Sequence, residues 1–147
     1  MVCALNAFFQ GESAEADGGT HPGRELATQV AEALASRGLS PGKVAAWRDA
    51  GWIIECEVND WDIQVLILAI RFGYWNLRVA PCPPKGLFAR HGGTSPTLGA
   101  PECYTVARVV SDCLVSSGRY RAFHWRWDLP PREEDPDEPH ARWAEPG

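Results

Sequence analysis

The feature that most constrains the fold of this chain is a β-hairpin predicted in its middle, with its turn at Asn59 and Asp60. Both residue types tolerate positive φ, which two-residue hairpin turns require. A turn there places Val58 opposite Trp61. The pairs farther from the turn on the same side are all apolar: Cys56 with Ile63, Ile54 with Val65 and Trp52 with Ile67. A slip of one residue would destroy this match, so the register is well specified.

A third strand extends this hairpin into a meander. Gly73 breaks the chain before Trp75, Leu77 and Val79, which alternate with polar residues. Their apolar side continues that of the second strand only if the connection has an odd number of residues. The sequence therefore predicts a three-residue connection at 72–74 and strands at about 51–58, 61–71 and 75–80.

The opposite side of the meander changes character along the strands. Near the first turn it carries Glu55, Glu57 and Asp62, which are expected to face water. Farther along come four aliphatic residues: Ile53, Leu66, Leu68 and Ile70. The central strand is thus apolar on both sides at its far end. We expect that end to be covered by another element of the chain or by another chain.

The remaining elements complete an α+β layout. Residues 2–9 read as a strand, and two helices are predicted with Pro22 and Pro101 in their first turns, ending near Gly38 and Gly118. The last strand, "RAFHWRWD" at 121–128, directs Phe123, Trp125 and Trp127 to one side. The predicted fold is an antiparallel sheet of about five strands, in the order β-α-β-β-β-α-β, with two helices on one face. It comprises one domain at 1–128 and a flexible, acidic, Pro-rich tail at 129–147.

Charge and cysteine content exclude several classes of function. Residues 1–127 are neutral overall, and the formal net charge of −5 lies in the residues from Asp128 onward. Without a cationic field, binding to nucleic acid or to a membrane surface is not expected. The five Cys residues form no CxxC pair, and the first residues lack the pattern of a signal peptide. A reduced, cytoplasmic protein is the expectation.

Catalytic candidates are weak. Cys82 and Cys103 are the plausible nucleophiles, with His91 or His124 as the base. His124 shares a strand face with Arg126 and Asp128, which could orient the imidazole. Each pattern is also typical of a buried thiol or a solvated strand face. The three carboxylates near the first turn could bind a hard cation, but are more typical of a wet surface. The prediction is a protein that is not an enzyme and holds no cofactor or metal.

Recognition of a partner protein accounts better for the composition. The chain has seven Trp residues, and Trp47, Trp75, Trp143 and Tyr74 are not easily housed together in one small core. Trp, Tyr and Arg dominate binding hot spots. The predicted partner-binding residues are the acidic and aliphatic residues of the second sheet side, together with Tyr74: Glu55, Glu57, Asp62, Ile53, Leu66, Leu68, Ile70 and Tyr74.

A small, acidic, Trp-rich α+β chain without a catalytic motif resembles the immunity proteins of bacterial toxin competition systems. The resemblance covers the layout of residues 1–128 and carries over no functional residue. It implies a protein that binds a cognate toxin, encoded nearby, and blocks the toxin's active site. Two alternatives stay open: a secretion chaperone, adaptor or homodimeric structural subunit, and a small enzyme that uses Cys and His.

Overall fold

The computed structural model describes residues 4–11, 22–48, 51–71, 73–82 and 100–127. These residues form a six-stranded antiparallel sheet in the order β2-β3-β4-β5-β1-β6, together with two helices. The elements are β1 (Leu5–Gly11), α1 (Arg24–Ser36), β2 (Ala45–Trp47), β3 (Gly51–Val58), β4 (Trp61–Arg71), β5 (Tyr74–Pro81), α2 (Ala100–Ser117) and β6 (Tyr120–Trp127). The predicted α+β class is confirmed. The short strand β2 was not predicted, because three residues are too few to show an alternating pattern.

The β3–β4 hairpin has the predicted register. Val58 pairs with Trp61, and the pairing continues without a shift to Gly51 and Leu68. Asn59 and Asp60 have φ values of 49° and 66°, as a turn with two left-handed residues requires. Local turn chemistry and the apolar pairs specify the same register.

The β4–β5 pairing differs from the prediction by two residues. Ala69 pairs with Trp75, whereas a three-residue connection would have paired Ala69 with Leu77. The predicted connection is wrong because β5 already begins at Tyr74 and the ladder shifts between Ala69 and Arg71, next to Ile70. The number of residues between Ala69 and Trp75 is still odd, so the apolar sides of the two strands coincide as predicted.

Both helices pack on the same face of the sheet. The buried residues of α1 include Leu26, Val30 and Leu34, and they join the core cluster that contains the apolar β3–β5 pairs. The buried residues of α2 are Cys103, Val106, Ala107, Val109, Val110, Ser111 and Leu114. Gly38 ends α1 with φ of 76°, and the N–H of Leu39 donates to the carbonyl of Leu34. One sheet face therefore holds the helix-covered core.

Strand β6 contributes aromatic residues to that core. Trp125 is fully buried and Phe123 is partly buried against the core cluster, as the alternation predicted. Ala122 adopts a left-handed φ of 59° where the β1–β6 ladder shifts. Because this bulge changes the alternation, Tyr120 is buried as well. The side chain of Trp127, the predicted tail at 129–147 and residues 83–99 lie outside the described residues.

Candidate partner-binding face

The sheet face opposite α1 and α2 is the candidate site, and we call it the open face. In an antiparallel sheet, directly paired residues point to the same side. Residues that alternate with the buried core positions therefore share the open face across all six strands. None of the described helices lies against this face, since the buried residues of both belong to the core cluster on the other side.

An apolar band crosses β3 and β4 on the open face. Ile53 pairs with Leu66. Leu68 lies two residues farther from the turn along β4 and pairs with Gly51. These three aliphatic side chains are half-buried. Ile70, the fourth predicted residue, is 56 % exposed. The four predicted aliphatic residues therefore lie on one face, where three are partly buried and Ile70 is exposed, while their role in binding stays a prediction.

Trp47 extends the apolar band to the edge of the sheet. Trp47, in β2, pairs with Gly51 of β3, so it lies on the open face, with Gly51 between it and Leu68 of β4. Its ring is half-buried, and the guanidinium carbon of Arg48 lies 4.6 Å from its centroid. Trp75, by contrast, is housed in the core, where its indole N–H donates to the carbonyl of Gly11 at 2.8 Å. Of the aromatic residues expected to exceed the core, Trp47 and Tyr74 reach the open face.

Three exposed carboxylates form an acidic corner on the open face, made of Glu55, Glu57 and Asp62. Glu57 pairs directly with Asp62 across the hairpin. Glu55 pairs with Gln64, whose amide donates to the Glu55 carboxylate at 3.3 Å. Like charges placed directly opposite each other destabilise a sheet. Repulsion between Glu57 and Asp62 therefore lowers the stability of the folded state.

The open face also carries a basic side, which the sequence analysis missed. Arg78 pairs with Asn6, and Asn6 pairs in turn with Arg126. Arg121 pairs with Gln10 in the same ladder. Arg121 and Arg126 are exposed, and neither forms an ion pair with any residue in the described part of the chain. The acidic corner on β3 and β4 and the basic side on β5 and β6 give one face charges of both signs.

A small cleft opens on the face where β1, β5 and β6 meet the end of β4, and we call it the Phe8 cleft. It has a volume of about 140 Å³, and its apolar walls include Phe8, Ile70 and Tyr74. His124 borders the cleft from β6. Phe8 was missed by the sequence analysis, although its position between Asn6 and Gln10 in the alternation placed it on the polar side of β1.

The described thiols are buried or half-buried. Cys103 is fully buried in the core face of α2, so its sulfur is not presented to a substrate. Burial raises the pKa of the Cys56 thiol to about 12, with smaller contributions from Cys82 and Asp62. Burial also raises the pKa of Cys113, with Glu32 adding to the effect. A raised pKa disfavours the nucleophilic thiolate.

Two residues on which the catalytic alternatives depend lie outside the described part of the chain. Cys82 is half-buried, and His91, its proposed base, lies outside the described residues. Asp128, the proposed partner of His124, also lies outside them. Within the described ranges, no group of three or more His, Cys, Asp or Glu side chains is arranged to hold a metal ion, and this includes the acidic corner.

Comparison with known proteins adds no assignment. No protein-family model matches this chain, and no curated protein is similar to it by sequence. Neither of the two described helices is long and apolar enough to cross a membrane. The geometry of the open face is therefore the basis for a functional proposal.

Proposed function

We propose that this protein is a non-enzymatic binding module whose open face docks onto a partner protein. Its most concrete form is an immunity-type inhibitor that occludes the active site of a cognate bacterial toxin. One observation carries the proposal: the open face combines the apolar band with charges of both signs, and no described helix covers it. A solvated sheet face would instead carry polar side chains throughout.

The dimensions of the open face suit a protein partner. Strands of eight residues, such as β3 and β6, are about 26 Å long, and six strands that each occupy a width of about 4.8 Å span about 29 Å. Allowing for the short edge strand β2, the face covers about 700 Å². Stable protein–protein interfaces bury about 800 Å² on each partner. The face and its rim are therefore sufficient for a specific complex.

The acidic corner determines how the partner is oriented in the proposed complex. An enzyme that acts on an anionic substrate carries basic groups around its active site, and Glu55, Glu57 and Asp62 would occupy that region as a substrate does. Opposite charges accelerate encounter and orient the partners, while apolar contacts slow dissociation. Inhibition would then follow from steric occlusion, without any chemistry by this protein.

The test is co-purification with the product of the neighbouring gene, followed by affinity measurement on charge variants. Glu57→Lys places a cation in the acidic corner and should weaken the complex by about tenfold or more. Glu32→Lys is the matched control, because Glu32 is an exposed carboxylate on α1, on the other side of the sheet. No complex, and no rescue of a growth defect caused by the neighbouring product, would remove the proposal. Equal effects of the two variants would remove the open face as its site.

A homodimeric subunit is the second candidate, favoured by the two signs of charge on one face. A two-fold axis lying between two open faces can place the acidic corner of one copy against the basic side of the other. Such an interface buries the apolar band in its centre. Light scattering decides this: a monomer at high micromolar concentration excludes the homodimer.

A further inference from the structure

We propose that the Phe8 cleft is the anchor pocket of the docking surface and receives one Leu- or Phe-sized side chain of the partner, next to a partner carboxylate. This inference rests on the proposed function and specifies the chemistry of the partner. It is carried by the shape of the cleft, by the exposed apolar side chains around it and by the charge beside it.

The volume of the cleft matches a single large apolar side chain. At about 140 Å³ it is close to the roughly 150 Å³ that accommodates benzene in an apolar protein cavity. Phe9 and Trp75 also border the cleft, while their side chains are buried in the core on the other side of the sheet. Because the lining residues belong to four paired strands, the cleft exists before a partner binds. A preformed pocket loses little entropy when it binds.

Two irregularities of the sheet meet at the cleft. The β4–β5 ladder shifts next to Ile70, and the β1–β6 ladder shifts next to Ala122, which itself lines the cleft. Bulges bend a strand and redirect its side chains, and they are frequent at functional sites. Here the two bulges lie on opposite sides of the Phe8 cleft. A regularly pleated sheet would have a flat surface at this place.

Exposed apolar side chains are concentrated at this depression. Among the described residues, four large apolar side chains are exposed: Phe8 at 39 %, Ile70 at 56 %, Tyr74 at 38 % and Val115 at 50 %. The first three line the cleft, whereas Val115 lies on α2. Clusters of this kind mark interaction sites, whereas a single exposed apolar residue such as Val115 is ordinary.

The positive charge beside the Phe8 cleft determines which partner residue can lie next to the anchoring side chain. Arg121 and Arg126 are exposed on β6, on either side of His124 along the strand. The described residues of β1, β5 and β6 include no Asp or Glu. A carboxylate in the partner would therefore find complementary charge next to its anchor, and a lysine would be repelled. The occupant is an apolar side chain flanked by an acidic residue.

Fragment binding followed by NMR tests the pocket on the full-length protein. The probes are two matched dipeptide amides, N-acetyl-Asp-Phe-amide and N-acetyl-Lys-Phe-amide. We expect saturable shifts of the amides of Phe8, Ile70 and Tyr74, and about threefold tighter binding of the acidic probe at low salt. Ile70→Asp should weaken binding about tenfold, because it places a carboxylate in the apolar wall. Val115→Asp makes the same change at a similarly exposed site and should have no effect.

Other outcomes overturn the inference. Absence of saturable shifts, shifts that spread equally to the region of Val115, or tighter binding of the Lys probe would each do so. Phe8→Ser provides a second variant should Ile70→Asp alter the far-UV circular dichroism spectrum. Self-association that protects the cleft would show a second copy as the occupant, which also contradicts the inference. A complex with the neighbouring gene product that tolerates both variants overturns the anchor alone, whereas Glu57→Lys tests the proposed function separately.

Discussion

Replacement of Glu57 by Gln should stabilise the fold while weakening the proposed complex. Glu57 and Asp62 are directly paired across the β3–β4 hairpin, and both are exposed. Paired residues in an antiparallel sheet have Cβ atoms about 5 Å apart. Two unit charges at that distance in water repel by about 0.8 kcal/mol, and physiological salt screens part of this. Removal of one charge should therefore raise the free energy of unfolding by about 0.5 kcal/mol.

The measurement is urea denaturation at low ionic strength, supported by thermal unfolding. For a chain of this length the gain corresponds to a rise of about 1–2 °C in Tm. It should vanish in 1 M NaCl, where exposed charges are screened over about 3 Å. Glu32→Gln is the control, because no carboxylate is paired with Glu32 on α1 and no gain is expected.

A double-mutant cycle tests the pairwise origin of the effect. Asp62→Asn should give a similar gain, and the Glu57→Gln/Asp62→Asn double variant should gain no more than either single variant, since one substitution already removes the repulsion. Additive gains, or a gain that persists in high salt, would refute the reasoning. A more stable variant that binds the partner less tightly would show that the acidic corner is retained for binding.

Four further predictions address the core, the turn, the close approach at Gly51 and the Cys56 thiol. Trp125→Ala should lower the free energy of unfolding by about 3–5 kcal/mol, because the side chain is fully buried. Arg126→Ala, at the adjacent exposed position, should change it by less than about 0.5 kcal/mol, and equal losses in urea denaturation would contradict the observed alternation. Asp60→Gly should stabilise the hairpin by up to about 1 kcal/mol, because Asp60 has φ of 66°, and a lower Tm would count against a left-handed turn. Gly51→Ala should destabilise the fold by about 1–3 kcal/mol, since a Cβ at this position would lie 2.1 Å from the carbonyl oxygen of Ile67. An unchanged Tm would contradict this close approach of the β4 backbone to Gly51. Burial raises the pKa of Cys56 from 9.0 to about 12, so at pH 8 its thiolate fraction should be about a thousandfold lower than in the unfolded chain. Alkylation by iodoacetamide, followed by mass spectrometry, measures this. Rapid alkylation of Cys56 in the native protein would contradict its burial.

The β3–β4 hairpin shows how much of the fold was accessible from the sequence. Its turn residues and its apolar pairs are close together in the chain, and both require the same register. The helix ends were equally local, because Gly38 and Gly118 both adopt left-handed φ just beyond the last helical residues. Where neighbouring residues supply the whole physical reason, the pattern predicted the structure.

The connection after β4 shows where local reasoning stops. Alternation specified which side of each strand is apolar, and this was correct. It could not distinguish a three-residue connection from the observed register, because both keep an odd number of residues between the paired positions. The shift next to Ile70 therefore became visible only in the structure.

The candidate site was predicted in part for the same reason. Ile53, Leu66, Leu68 and the acidic corner all belong to one hairpin, so the sequence alone placed them on a common face. The basic side and the Phe8 cleft depend on β1 lying between β5 and β6, two strands far from it in the chain. Long-range pairing of this kind is specified by packing of the whole core, which alternation within a single strand does not encode. The chain itself thus determined which residues share a side, and the tertiary structure decided which sides became neighbours.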